Sequence, residues 1–339
     1  MSTSARYRVA LIGCGDIAET GHVPALLQHP RFELTALCDV RPERAALLAA
    51  RAGGVPALTD YRALLERQDL HAVILALHPN HSVAVASEFL RRRVPVLDEK
   101  PLAATLAEGR RLEGVVRESV TVYQIGFVMR YSPVILKLGE WARQIGAPAC
   151  YRFATYDERL DRANTLHFER IQQFLRNSSA ITHEGSHLID YFQILNPSPL
   201  VRVQALAVRT EPDFSGPNLW SAQFQTADGS ALQVEVGWFL PMLPVCTSFA
   251  RIAGPGGCAG VDLRTGLGDL STGGVVHPVQ TPPLAQEWAI QLDVFAEAIA
   301  RGCASIATVR DGLRALAATT ACEASQRSGA AVEIEQGGP

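Results

Sequence analysis

The chain has no CxxC pair, no internal repeat, no low-complexity tract and no apolar run long enough to span a membrane. Those absences argue against redox-motif, solenoid and membrane-channel readings. Charge is also scarce. Only 19% of the 339 residues are charged and the formal net charge is −3, so no basic surface points to nucleic acid. The one dense basic run, Arg91-Arg92-Arg93, falls at the end of an expected helix, where it complements the dipole. Seven cysteines are scattered at 14, 38, 150, 246, 258, 303 and 322 and read as buried thiols in a reduced compartment. Met1 to Tyr7 is short and polar and lacks a signal-peptide core, so the expected location is cytoplasmic, with no membrane partner. The length allows two domains and a sizeable core.

What is present begins at Arg8. The run Val9-Ala10-Leu11-Ile12 leads into Gly13-Cys14-Gly15-Asp16-Ile17-Ala18, and Asp39 closes the next apolar run, Leu34 to Cys38. It reads as strand, glycine turn, helix, strand, acid. Gly13 permits a tight turn, and Gly15 removes the side chain where a pyrophosphate approaches the backbone. Ala18 lets the helix pack on the sheet, so its free N–H groups point at phosphate. Asp39 lies 21 residues after Ala18, where a carboxylate accepts hydrogen bonds from ribose hydroxyls.

The first 123 residues alternate short apolar strands (9–12, 34–38, 72–77, 94–97, 120–125) with helices (17–28, 42–51, 61–68, 82–92). This is the α/β pattern of a doubly wound parallel sheet, with its ligand crevice at the carboxyl ends of the strands. The remainder, 124–339, reads as an α+β domain with a large, open, mostly antiparallel sheet. Its expected helices are 132–145, a segment around the 180s, 284–300 and 309–328, with a polar stretch before the 180s. A strand at 149–156, four alternating runs (201–209, 220–226, 231–240, 247–253) and a tail strand at 331–335 complete it. Ala227 to Ser230 is a hairpin signal between the second and third runs.

Two constellations carry chemistry. His78-Pro79-Asn80 and Asp98-Glu99-Lys100-Pro101 follow the fourth and fifth strands, so both line the expected crevice. A lysine fixed there is suited to exchange a proton with an oxygen as hydride moves at the attached carbon, or simply to pair with Asp98 or Glu99. The second constellation is His183-Glu184-Gly185-Ser186-His187-Leu188-Ile189-Asp190-Tyr191. On one helix, His183, His187 and Tyr191 share a face with neighbours about 6 Å apart, and Asp190 is placed to orient His187. The same residues match the HExxH zinc pattern, but Gly185 weakens the helix and no suitable third ligand follows, so no metal is assigned. Arg130, Arg152 and Arg176 are further candidates for the site or plain surface charges.

Taken together, Gly13 to Ala18 with His22-Val23-Pro24-Ala25-Leu26, Cys38-Asp39, Pro79-Asn80, Glu99-Lys100-Pro101-Leu102 and Gly185 to Asp190 resemble the glucose–fructose oxidoreductase / inositol dehydrogenase / MocA family. Asp311-Gly312-Leu313 and Ala321 to Ser325 extend the likeness to the C-terminal helix. The resemblance implies an NAD-binding Rossmann domain (1–123) and a substrate-binding and oligomerisation domain (124–339), assembled as a homodimer or homotetramer. It implies hydride transfer between NAD and a sugar, sugar derivative or cyclitol. Lys100 would be the acid/base, with His187 and His183 at the reacting hydroxyl. Gly13, Gly15, Asp16, Ile17, Ala18, Asp39, His78, Pro79, Asn80, Glu99 and Lys100 would hold the cofactor, and Arg130, Arg176 and Tyr191 the substrate. Asp39 favours NAD; NADP is the alternative, with Arg41 available to a 2′-phosphate. Redox-neutral chemistry on NAD, as in NAD-dependent glycosidases, and non-catalytic NAD binding are the rival functions. Two positions depart from the family pattern. His183 stands where the family commonly has Asp, and Val83 where it often has His.

Overall fold

The computed structural model describes residues 6–241, 246–282 and 287–336. The chain forms two compact units, Met1–Val128 with Gln286–Leu313, and Met129–Ala285 with Arg314–Pro339. The expected linear division at residue 123 therefore misses a return of the chain to the first unit.

The first unit opens with β1 (Tyr7–Ile12), a π-helical turn at Ala18–His22 and α1 (Val23–Gln28). It continues through β2 (Phe32–Cys38), α2 (Pro42–Arg51), β3 (Ala57–Leu58), α3 (Arg62–Leu65) and β4 (Ala72–Leu75). Then follow α4 (Pro79–Arg91), β5 (Val96–Asp98), α5 (Leu106–Ser119) and β6 (Tyr123–Ile125). The six strands form a parallel sheet in the order β3-β2-β1-β4-β5-β6, the doubly wound arrangement expected. Helix α5 lies outside the expected set, although Thr105-Leu106-Ala107-Glu108 is a capping box whose Thr105 hydroxyl accepts the Glu108 N–H at 3.2 Å. Helix α4 starts at Pro79 rather than Ser82, because Pro is well suited to a first turn and the His78 side chain accepts the Asn80 N–H at 3.4 Å.

The second unit carries α6 (Pro133–Ile145), β7 (Cys150–Arg159), α7 (Thr165–Asn177), α8 (Ala180–His183) and α9 (Gly185–Leu195). Next come β8 (Leu200–Val208), β9 (Leu219–Thr226), β10 (Ala231–Leu240) and β11 (Thr247–Gly254). The last strands of the sheet are β12 (Gly257–Asp262), β13 (Leu267–Thr272) and β14 (Val275–Gln280). The chain closes with α10 (Glu287–Arg301), α11 (Val309–Ser328) and β15 (Val332–Glu333). Residues 284–286 of the expected helix 284–300 lie outside the described residues. The nine strands run β14-β13-β12-β11-β7-β10-β9-β8-β15, antiparallel except where β10 pairs with β7. Three of them, β12 to β14, carry no clear apolar alternation and were not expected. Helix α7 replaces the expected polar stretch and buries Ile171 and Leu175, four residues apart on one face.

Helix α10 explains the return of the chain. Its Leu292, Phe295 and Ala296 are buried in one apolar cluster with Leu11, Phe32 and Leu34 of β1 and β2, and Phe295 stacks on Phe32 with ring centroids 6.1 Å apart. In the second unit α9 lies on β7 and β10, with Tyr191 and Phe192 against Phe153 and Tyr151, each pair 5.0 Å apart. Between these buried residues β7 exposes Cys150 and Arg152 on its other face. The cysteine expectation is corrected in part. Cys14, Cys38 and Cys322 are buried, whereas Cys150, Cys246, Cys258 and Cys303 are exposed. No helix among the described residues is long and apolar enough to cross a membrane.

Candidate active site

The glycine turn is set by close approach. Gly13 has φ +98°, and a Cβ there would sit 2.2 Å from the Ala76 carbonyl oxygen, so only glycine fits. At Gly15 nothing lies within 4 Å of such a Cβ. That open side is where a phosphate can approach the backbone, and Asp16 and Ile17 beyond it are exposed at the start of the helix. Asp39, buried at the end of β2, accepts the Cys14 N–H at 2.8 Å and the Arg41 N–H at 2.9 Å. It thus ties the glycine turn to the neighbouring strand. Cys14 is not a reactive thiol: burial, reinforced by the Asp39 charge, pushes it up to about 12. His78, Pro79 and Asn80 form the first turn of α4 beyond β4, with Asn80 exposed. The Gly13 to Ala18 turn and Asp39 thus fit the pyrophosphate and ribose of a dinucleotide.

The end of β5 carries two carboxylates in succession with different surroundings. Asp98 points inward, fully buried, and accepts from the Ser82 hydroxyl of α4 and, at 3.0 Å, from the Tyr123 hydroxyl of β6. Burial pushes its carboxyl up to about 7, against the opposing pull of the two hydroxyl donors. Glu99 accepts from His22 Nε2 at 2.8 Å on one oxygen and from the Lys100 N–H at 3.1 Å on the other. Lys100 follows, half-buried and joined to Pro101 by a cis peptide. One signal for Lys100 was available in composition. The chain contains only two lysines, Lys100 and Lys137, and all its other fixed cationic side chains are arginine.

The second unit changes several expectations. The helix of the 180s is interrupted at Glu184, so His183 ends α8 and His187 lies in the first turn of α9. Gly185 packs closely there: a Cβ would meet Ile181 Cδ1 at 2.7 Å, so a larger residue would have to displace that side chain. His183 Nδ1 is 2.8 Å from Glu184 Oε1, and its ring leans on Trp238 at 5.1 Å; neither neighbour was anticipated. Tyr191 does not share an exposed face with the two histidines. It is 1% exposed and packed on Phe153, so its assignment to substrate is replaced by a core role. Arg130 is likewise buried, donating through Nε at 3.1 Å and through Nη2 to the two oxygens of Asp190. Arg130, expected at the substrate, and Asp190, expected to orient His187, thus meet each other in a buried ion pair. Arg176 is exposed in the last turn of α7, where a cation complements the dipole. Arg152 is exposed on β7, 3.9 Å from Glu235.

Comparison with known proteins places this arrangement. Residues 7–127 match the oxidoreductase family with an NAD-binding Rossmann fold typified by glucose–fructose oxidoreductase, inositol dehydrogenase and MocA. Inositol 2-dehydrogenase 2 of Paenarthrobacter aurescens is 26% identical over 324 residues, covering 91% of this chain and 92% of that protein. The dTDP-3,4-didehydro-2,6-dideoxy-alpha-D-glucose 3-reductase of Actinomadura kijaniata is 37% identical over 126 residues. That match spans 37% of this chain and only 38% of the reductase. Among solved structures, an oxidoreductase domain protein from Kribbella flavida shares the fold, with TM-score 0.86 and 19% identity over 98% of this chain and 100% of that one.

The protein is therefore an NAD(P)-dependent dehydrogenase or reductase built on a Rossmann unit and an open-sheet unit. Over residues 7–127 it is similar to the glucose–fructose oxidoreductase / inositol dehydrogenase / MocA family, and its full-length likeness is to inositol 2-dehydrogenases of that kind.

Two predictions follow from the buried groups. A carboxyl held near 7 when folded, against 3.8 unfolded, binds its proton more tightly in the native state. Its contribution to stability is therefore greatest below the unfolded value and is lost as pH rises toward about 7. Denaturant titrations should show Asp98→Asn gaining stability relative to the parent between pH 5 and pH 8, with pH values chosen to bracket the native titration; equal pH dependence in both proteins would refute the assignment. Separately, Arg130→Met should cost about 3–5 kcal/mol by stranding Asp190, and adding Asp190→Leu should recover part of it. Additive losses in that cycle would show that the pair does not act as a unit.

Proposed function

We propose that the protein transfers hydride between NAD and a hydroxyl- or carbonyl-bearing carbon of a sugar, sugar derivative or cyclitol. The observation that carries this reading is the end of β5, where Lys100 stands in the same unit as the glycine turn and has its backbone pinned by Glu99. The names of the relatives, inositol 2-dehydrogenase and a deoxysugar 3-reductase, supply the substrate class. The bound nicotinamide supplies the hydride donor or acceptor. Lys100 takes the proton of the alcohol during oxidation and returns it during reduction. His187 binds the reacting hydroxyl, and His183, paired with Glu184, is the second histidine of that proton chemistry. Asp39 supports NAD over NADP, because a buried carboxylate already fixed by two backbone donors opposes a 2′-phosphate.

The test is a panel of inositols and sugars screened with NAD and with NADP for hydride transfer, first with the parent and then with Lys100→Ala. Turnover with NAD is expected, and Lys100→Ala should lower it about 100-fold or more while NADH binding survives. Undiminished turnover in that variant would remove Lys100 from the mechanism. Product formed at catalytic NAD without NADH accumulation would favour the redox-neutral alternative.

We also propose self-association as a homodimer or homotetramer through the face of the nine-stranded sheet opposite α9. That face holds a concavity of about 830 Å³ lined by Arg152, Gln204, Gln223, Gln233 and Arg251. Sedimentation should give a dimer or tetramer, and Gln223→Glu should shift it toward monomer. A monomeric parent at micromolar concentration would refute the proposal.

A further inference from the structure

We propose that His22 is a positioning residue for Lys100, acting through the Glu99 carboxylate. The proposal rests on the reading of Lys100 as the proton-transferring group, and it concerns what holds that group in place.

His22 is the last residue of the π-helical turn in the helix that begins at the glycine loop, and it is fully buried. Single π turns are frequent at functional sites, since they alter which face of a helix a side chain leaves from. His22 Nε2 donates to Glu99 Oε1 at 2.8 Å. Its other ring nitrogen has no hydrogen-bond partner among the described residues, so Glu99 alone fixes its polar edge.

The ring cannot swing away. Trp288 of α10 meets it edge-on with centroids 4.7 Å apart. The same indole passes so close to Gly21 that a Cβ there would be 2.6 Å from it. The Glu99 carboxylate also lies close against Gly126, where a Cβ would be 3.0 Å from Oε1. Its second oxygen accepts the Lys100 N–H at 3.1 Å. One carboxylate therefore links the nucleotide-binding helix to the peptide that carries the lysine. A hydrogen bond to a carboxylate in so dry a place is electrostatically strong. Proton transfer demands hydrogen-bond reach, and a displacement of about 1 Å can cost about 100-fold in rate.

The chain's two lysines make a direct test available. Lys137 is exposed on α6 beside Glu140 and serves as an internal standard. Trace acetylation with acetic anhydride, read by peptide mass spectrometry, gives the reactivity ratio of Lys100 to Lys137 in folded protein. His22→Leu, which removes the donor, should change that ratio about threefold or more, because the amine moves relative to its neighbours. His22→Gln, which returns an N–H within reach of Glu99, should restore the ratio. NADH affinity, measured by fluorescence titration, should remain within about twofold in both variants, separating lysine placement from cofactor binding. An unchanged ratio in His22→Leu, or no recovery with Gln, overturns the proposal. If His22→Leu does not fold, Glu99→Gln tests the same link, since one remaining oxygen must serve two donors; an unaltered ratio there overturns it equally. The ratio reports placement whether or not Lys100 moves protons. The acid/base reading stands or falls separately on the turnover of Lys100→Ala.

Discussion

The first unit depends on one close approach, that of the Gly13 backbone to the Ala76 carbonyl. At a φ of +98° and with no room for a Cβ, the chain leaves β1 in a direction that no other residue permits. That exit lets the Cys14 N–H reach Asp39, which locks the turn to β2. It also leaves Gly15 bare at the start of a helix, a place suited to an approaching anion. The first turns of the π-helical segment and of α4, and the loop after β5, then gather at the carboxyl ends of the parallel strands. The candidate cofactor site is a consequence of this geometry more than of any single side chain.

Neighbouring carboxylates at the end of β5 show how environment divides labour between like groups. Asp98 and Glu99 are adjacent in sequence and face different neighbours. Asp98 sits between two hydroxyl donors, with no cation in contact among the described residues, and burial raises its carboxyl toward neutrality. Glu99 spends one oxygen on a buried histidine and the other on the backbone of Lys100. The first joins α4, β5 and β6 in the interior, and the second aligns the candidate acid/base. Arg130 and Asp190 do comparable structural work in the second unit, as a buried bidentate pair behind the histidine helix.

Much of this was legible in the chain, and the reasons differ by element. Short β-branched runs alternating with amphipathic helices identify the parallel sheet, because strands buried on both faces must be apolar throughout. The Gly13 to Asp39 spacing identifies the cofactor turn because its backbone demands admit few residues. Helix α5 was also legible in its capping box, and α7 in its Phe168, Ile171 and Leu175 spacing. Strands β12 to β14 were not, since apolar residues are few in β12 and β13 and those of β14 are mostly exposed, so none carries a strong apolar alternation. The return of α10 to the first unit was equally hidden: an amphipathic stripe states that a face is buried, never against what.

The sequence by itself determined the Rossmann turn, the NAD(P) cofactor class and the strand end that presents Lys100. Those features follow from local backbone chemistry, where residue type and spacing are enough. Only the tertiary structure decided the fate of the polar residues. It drew Tyr191 into the core, matched Arg130 to Asp190 across 60 residues and His22 to Glu99 across 77. A buried polar group must find a partner, and that partner is set by how the elements pack.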